Sequence, residues 1–294
     1  MKAHQAVSTN WGTLWVVATP IGNLGDMSPR AGEILARVQR IAAEDTRHSA
    51  GLLAHLGVHT PLVSLHEHNE AERIPALLEA LQAGESVALV SDAGTPLVSD
   101  PGFRLVRAAR EVGAPVRAVP GPSAPLAALA VAGLPSDRFC FEGFLPHAAG
   151  ARRRQLEALL AQPVTTIVFE SSHRIRAAAG DLAGLAPERE VFLARELTKQ
   201  FEEHYRGVAA DLPAWLDADA NRTRGEFVLI LGAAPAPETG GEADEPLAAE
   251  HERLLTALLQ ELPLKRAARL LSDATDLPRN RVYARALALK DAQS

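Results

Sequence analysis

Val87-Ala88-Leu89-Val90-Ser91-Asp92-Ala93-Gly94-Thr95-Pro96-Leu97-Val98-Ser99-Asp100-Pro101-Gly102 decides how the rest of this chain is read. Four apolar residues make a short strand, and a helical pattern begins near Phe103. The small residues between them therefore form a loop at the carboxyl end of a strand. In open α/β sheets that is where ligands bind, because such loops gather free backbone N–H and C=O groups around a crevice. Gly94 and Gly102 let backbone approach a ligand closely, while Pro96 and Pro101 stiffen the turns. Asp100, standing before Pro101, is expected to be the N-cap of the following helix.

Outward from this loop, strands and helices alternate. Leu14–Ala18, Arg40–Ala43, Leu62–Leu65, Val87–Val90 and Val116–Val119 read as strands. Helices fall between them, one capped by Ser28 with Pro29 at its first position, another over Ala71–Gln82 and a small-residue helix over Ser123–Ala132. This spacing predicts a mainly parallel sheet covered on both faces. Phe144 to Gly150 breaks the pattern. A basic helix from Ala151 to Ala161 and strands at Val164–Phe169, Glu190–Ala194 and Glu226–Leu231 follow, with Lys199–Arg206 pairing antiparallel, which makes a smaller mixed sheet. The expected organisation is an N-terminal α/β domain over 1–143, a second α/β domain over 144–232, an acidic linker over 233–246 and a helical module over 247–294. In that last module two short helices flank a tight turn, Asp276-Leu277-Pro278, in the manner of a helix-turn-helix.

Composition narrows the function classes. The net charge of −6 argues against a nucleic-acid partner, but its distribution reverses that. Residues 233–252 carry six acids and no Lys or Arg, whereas 253–294 carry eight basic side chains against four acids, a local +4. The single cysteine, Cys140, permits no internal disulfide, is expected to be a buried structural thiol, and points to a reducing compartment. Residues 1–10 have no apolar core of a signal peptide, and no apolar run is long enough to span a bilayer. A soluble cytoplasmic protein with no membrane role is expected.

Three small-residue loops, Thr19–Asn23, Ser91–Gly102 and Pro120–Pro125, sit at strand ends and can form one pocket. None matches the dinucleotide G-x-G-x-x-G or the Walker G-x-x-x-x-G-K-[ST] pattern, so nicotinamide and nucleoside triphosphates are poor fits. Ser123 lies outside any G-x-S-x-G elbow and reads as a helix cap. His66-Glu67-His68 is too sparse for a metal site, and no metal is expected. Glu170-Ser171-Ser172-His173-Arg174 reads as a strand-end loop rather than a hydrolase site, because Ser and His so close in sequence rarely meet in triad geometry. Arg195-Glu196-Leu197-Thr198-Lys199 is either a surface ion-pair cluster or a contact for an anionic backbone.

Ala18-Thr19-Pro20-Ile21-Gly22-Asn23-Leu24, Ala43-Glu44-Asp45-Thr46-Arg47, Ser91–Gly102, Leu134–Phe139, Glu142–Pro146, Glu170–Arg174 and Ala194–Lys199, together with the C-terminal module, resemble the tetrapyrrole methylase superfamily. Within it they are most similar to the 16S ribosomal RNA small-subunit methyltransferase I family. The resemblance covers nearly the whole chain and implies S-adenosylmethionine-dependent 2′-O-methylation of a cytidine ribose in the decoding region of 16S ribosomal RNA. It also implies a two-domain α/β core with the cofactor in the cleft, and a homodimer. Pro20, Asp92, Ala93, Gly94, Thr95, Pro96, Val98, Ser123 and Ala124 match the superfamily's cofactor positions.

A ribose hydroxyl is a poor nucleophile while protonated, so a nearby base is needed. Asp45, Asp100, Glu170 and Lys199 are the candidates, and sequence does not choose among them. Arg47, Arg174 and Arg195 suit phosphate positioning, since Arg stays charged. Lys265, Arg266, Arg269, Arg279, Arg281 and Arg285 are expected to grip RNA backbone in the C-terminal module. Two other readings stay open: a methylase of small cyclic tetrapyrroles, against which the basic module argues, and a non-catalytic nucleic-acid-binding protein, against which the converging loops argue.

Overall fold

A computed structural model describes residues 10–235, 247–275 and 277–291. Residues 1–9, most of the expected linker (236–246) and Asp276 of the expected turn lie outside the described residues. Contacts divide the chain into one compact unit over residues 1–234 and a second over 235–294.

The first unit holds two five-stranded sheets. The first is formed by β1 (Leu14–Val17), β2 (Arg40–Ala43), β3 (Leu62–Ser64), β4 (Val87–Val90) and β5 (Val116–Val119), in the order β3-β2-β4-β1-β5 and parallel throughout. Strand alternation gives β4 two apolar faces. Val87 and Leu89 pack with Leu77 and Leu81 of α3 (Glu70–Gln82) and Leu105 of α4 (Phe103–Glu111). Ala88 and Val90 face the other way, toward Leu35 of α1 (Pro29–Arg37) and Leu53 of α2 (Thr46–His55). Helices thus cover both faces. Ser28 starts α1 as expected, its Oγ accepting from the Ala31 N–H at 3.1 Å.

The second sheet has the order β6-β7-β10-β8-β9, from β6 (Phe139–Phe144), β7 (Thr165–Ser171), β8 (Glu190–Arg195), β9 (Glu203–Val208) and β10 (Glu226–Leu231). Only β6 and β7 run parallel; the other pairs are antiparallel. One face carries α6 (Ala149–Leu160), α7 (Ile175–Leu185) and α8 (Leu212–Asp217) around Leu156, Ala178, Leu182 and Leu216. The other face receives α5 (Ala124–Ala132), whose Ala128, Leu129 and Ala132 join Ile167, Phe192 and Ile230. Since α5 follows β5 in the chain, it leaves the first sheet and buries itself on the second.

Strand β6 has no counterpart in the sequence expectation. It lacks clean alternation and its register shifts between Phe141 and Phe144, where Gly143 takes a φ of +66°. A bulge of this kind re-aims a side chain beside a functional site. Cys140, on β6, is only half-buried rather than buried as expected, because β6 is an edge strand; its Sγ lies 3.2 Å from Thr166 Oγ1.

In the second unit, α9 (Ala249–Glu261), α10 (Leu264–Ala274) and α11 (Arg279–Asp291) pack around Leu255, Ala268, Leu271, Val282 and Ala286. Among the described residues no helix is long and apolar enough to cross a membrane.

Candidate active site

The three strand-end loops meet as expected. Thr19 and Gly94 exchange backbone hydrogen bonds of 2.9 and 3.1 Å, which ties the β1 and β4 loops together. Thr95 Oγ1 donates to the Pro122 carbonyl at 3.0 Å, which adds the β5 loop. Gly94 sits at φ +84°, and a Cβ there would stand 3.2 Å from Ile21 Cγ2, so this crossing needs glycine.

A cavity of about 450 Å³ opens beside these loops, within the range of small-molecule sites. Asp92, Ala93, Gly94, Thr95, Val98 and Asp100 line it from the β4 loop, and Ser123 and Ala124 from the start of α5. The second sheet supplies the facing wall through Phe144, Phe169, Glu170, Leu197 and Val228. Pro20 lines a neighbouring cavity instead, and Pro96 is buried and lines neither. Ser123 stands at the N-cap position of α5, but its hydroxyl makes no capping bond.

Backbone strain marks two of the loops. The four non-glycine residues with positive φ among the described residues are Leu97, Ser99, Glu196 and Thr198. All four lie in the β4 loop or in the turn that leaves β8. Each such conformation costs on the order of 1–3 kcal/mol and persists only when the surroundings enforce it.

The carboxylates separate by environment. Asp100 does not cap α4: the N-cap is Gly102, at φ +116° with no side-chain bond, because the chain needs two further residues to turn before the helix starts. Asp100 instead faces the cavity, where burial outweighs a hydrogen bond from Ser91 and, with the Asp92 charge, pushes its pKa up to about 6. Glu44, absent from the sequence candidates, faces the same cavity; burial, then the charges of Asp100, Asp92 and Asp45, push it up to about 7. Among the described residues no hydrogen-bond donor reaches Glu44. Its signal in the sequence was its place beside Asp45 at the end of β2.

The other proposed bases are each paired with a charged neighbour, Glu170 through only one of its two oxygens. Asp45 caps α2 by accepting from the Arg47 N–H at 2.8 Å, and its Oδ2 takes Arg47 Nη2 at 3.0 Å. The Arg47 hydrogen bonds draw its pKa down to about 2, which makes it a weak proton acceptor. Lys199 Nζ donates to Glu196 at 3.0 Å and Glu226 at 2.8 Å. Burial alone would lower its pKa, but these two carboxylates outweigh it and hold the ammonium above its ordinary value, so it keeps its proton. Glu170 is buried, with Oε1 accepting from the Ser171 N–H at 2.7 Å and from Arg174 Nη2 at 2.7 Å.

Two of the expected phosphate contacts are internal. Arg174 also bonds Ser171 Oγ at 3.0 Å and the Leu145 carbonyl at 2.8 Å, which joins β7 to the segment after β6. Arg195 is buried, donating to the Arg224 and Phe201 carbonyls at 2.8 and 3.0 Å. Both guanidiniums complete backbone carbonyls that burial would otherwise leave unpaired. Arg47 remains open to solvent, with its side chain 91% exposed. In the C-terminal module Lys265, Arg266, Arg269 and Arg279 are exposed, and Arg281 is half-buried. Arg285 is held by Glu252 within the module, its Nε 2.9 Å from Oε1, and does not present an open face. Among the described residues no group of three or more His, Cys, Asp or Glu is arranged to hold a metal.

A parallel sheet and a mixed sheet enclosing such a cavity is the architecture of a methylase fold. The solved uroporphyrin-III C-methyltransferase of Thermus thermophilus, complexed with S-adenosyl homocysteine, overlays with a TM-score of 0.52 at 22% identity, covering 75% of this chain and 97% of its own. Diphthine synthase overlays with a TM-score of 0.56 at 15% identity, over 75% and 89%. The profile of the tetrapyrrole (corrin/porphyrin) methylases matches residues 13–213, and that of the RsmI C-terminal HTH domain matches 245–290. Proteins named ribosomal RNA small subunit methyltransferase I are similar along almost their whole length. The one from Pseudomonas aeruginosa is 50% identical, covering 94% of this chain and 97% of its own. The one from Escherichia coli O157:H7 is 48% identical, over 98% and 99%. The chain belongs to the tetrapyrrole methylase family and, within it, to the ribosomal RNA small subunit methyltransferase I group.

Proposed function

We propose that the chain is an S-adenosylmethionine-dependent methyltransferase of 16S ribosomal RNA, acting in the cytoplasm on the small ribosomal subunit. In this reading the methyl group goes to the 2′-hydroxyl of a cytidine in the decoding region. The observation that carries the reading is the cavity between the two sheets. Ile21, Val98, Leu197 and Val228 offer apolar surface for an adenine and a thioether. Glu44, Asp92 and Asp100 crowd one side, and their mutual repulsion is relieved by a positively charged centre. The residues present thus fit the cofactor. When bound there, S-adenosylmethionine supplies a methyl group on a sulfonium.

The chain's own residues then have two tasks. The rigid, strained loops hold the reacting atoms in line, and alignment accounts for much of the rate in a displacement of this kind. Asp100, with Glu44 beside it, takes the hydroxyl proton, because a carboxylate titrating near neutrality is a better acceptor than one titrating near 4. The C-terminal module brings RNA through Lys265, Arg266, Arg269 and Arg279. A homodimer is part of the same proposal: α5 leaves Leu126 and Val131 more than half exposed on a helix made almost entirely of apolar residues.

The test uses labelled S-adenosylmethionine and small subunits from a strain lacking the modification. The expected result is label in RNA at an alkali-stable ribose linkage. Label on a base, or none in RNA, would overturn the reading.

A further inference from the structure

Beside the cofactor cavity lies another of about 520 Å³ that the chemistry above does not use. Its walls come from the turn after β1, with Gly22 and Asn23, and from one face of α2, with Arg47, His48 and Gly51. Asp92 lines both cavities, so they share a wall at that carboxylate. The lining is rich in donors. The Arg47 guanidinium gives its Nε and Nη2 to Asp45, at 3.3 and 3.0 Å, while the side chain stays 91% exposed, so its outer N–H groups are oriented and open to solvent. Asn23 uses its Oδ1 to accept from the Gly25 N–H at 3.0 Å, and its amide NH₂ has no protein acceptor among the described residues. Gly51 lines the cavity, and a Cβ added there would meet no atom within 4 Å beyond its own helix's backbone, so a side chain at this position has room to enter.

We propose that this cavity seats the acceptor ribonucleotide, with its sugar toward Asp92 and a flanking phosphate toward Arg47; this rests on the ribosomal RNA reading given above. An oriented guanidinium is the usual partner of an RNA phosphate, and free amide donors suit a sugar or base edge. A single nucleotide reaches such a recess only when unstacked from its neighbours, the mode by which proteins read RNA loops. The shared wall then brings the 2′-oxygen to the methyl carbon. The oxygen–carbon bond forms as the sulfur–carbon bond breaks, a neutral thioether departs, and the hydroxyl proton passes to the carboxylate cluster of which Asp92 is the shared member.

Gly51→Leu tests this directly, because the side chain enters empty space and leucine favours a helix more than glycine does. The melting temperature is therefore expected to stay level or rise. S-adenosylhomocysteine affinity, measured by calorimetry, is expected to stay at the wild-type value, while methyl transfer to small subunits falls by about 100-fold, the scale of a misplaced acceptor. Gly51→Ala should transfer nearly normally. If G51L transfers at the wild-type rate, the subsite is overturned and the function stands. Lost S-adenosylhomocysteine affinity in G51L would overturn it too, by assigning the recess to the cofactor. Wild-type protein that labels no RNA overturns the function, and the subsite with it.

Discussion

Asp45 and Asp100 carry the same functional group and both belong to strand-end loops of the first sheet, yet their surroundings drive them apart, one toward 2 and the other toward 6. Such a separation is how a site assigns different tasks to like groups. It also has a consequence for stability. Asp100 and Glu44 bind protons more tightly in the folded chain than their ordinary values of 3.8 and 4.5. The folded state therefore holds the extra protons, and stability falls as pH rises from about 4 to about 7. Asp100→Asn removes part of that penalty. Urea denaturation at about pH 7.5 should show a gain of roughly 1 kcal/mol after allowance for solvent screening, vanishing near pH 4. The same variant should transfer methyl slowly at every pH, while the wild-type rate climbs as the pH passes through about 6–7. Sequence could place these carboxylates at strand ends but not rank them. A rank depends on how deeply each one is buried and on what folds against it, and for Asp100 burial beside Ser91 and Asp92 is set only in three dimensions. The same limit explains Arg174 and Arg195, whose carbonyl partners at Leu145, Phe201 and Arg224 are invisible in a string of letters.

Among the elements, β2, β4, β5 and β10 fall on the residues that hydrophobic runs and turn signals predict. β2, β4 and β10 are central strands with apolar runs, and β5, an edge strand carrying Arg117, is delimited by Pro115 and Pro120. Edge strand β6 escaped because its bulge at Gly143 interrupts the alternation that would announce it. Helix α4 starts at Phe103, where the helical pattern begins, but its N-cap is Gly102, two residues beyond Asp100, after a β4 loop strained at Leu97 and Ser99. That strain is testable. Ser99→Gly relieves a left-handed conformation at φ 68° at an exposed position. It should leave thermal stability level or raised, by up to about 1 kcal/mol, and weaken cofactor affinity by calorimetry, because a relaxed loop must be ordered on binding. Unchanged affinity would show that the strain serves packing alone. Helix α5 offers a second test. Leu126→Asp with Val131→Asp should shift the sedimentation of a dimer to that of a monomer, without loss of helical circular dichroism.

At the scale of the whole molecule, the division after residue 234 separates a unit that encloses a cofactor-sized cavity from a basic three-helix module. Truncation after residue 234 should preserve S-adenosylhomocysteine affinity and weaken RNA binding. Exchanging Lys265, Arg266, Arg269 and Arg279 for Gln in the full chain should flatten the salt dependence of RNA binding, by about one unit of slope for each phosphate no longer neutralised. An unchanged slope would mean that the module does not touch the backbone. The charge asymmetry that suggests this role was plain in the sequence, since charge needs no fold to be counted.

Helix α5 ends at Ala132, but the strands that cover it, β7, β8 and β10, are complete only at Leu231. A ribosome adding about 5–20 residues per second needs on the order of 5–20 s to make that interval. Throughout it, the nascent chain carries a finished parallel sheet and an apolar helix with no surface to rest on. For those seconds the apolar face of α5 is open to wrong contacts, a demand on synthesis rate and chaperones that the stability of the finished protein does not record.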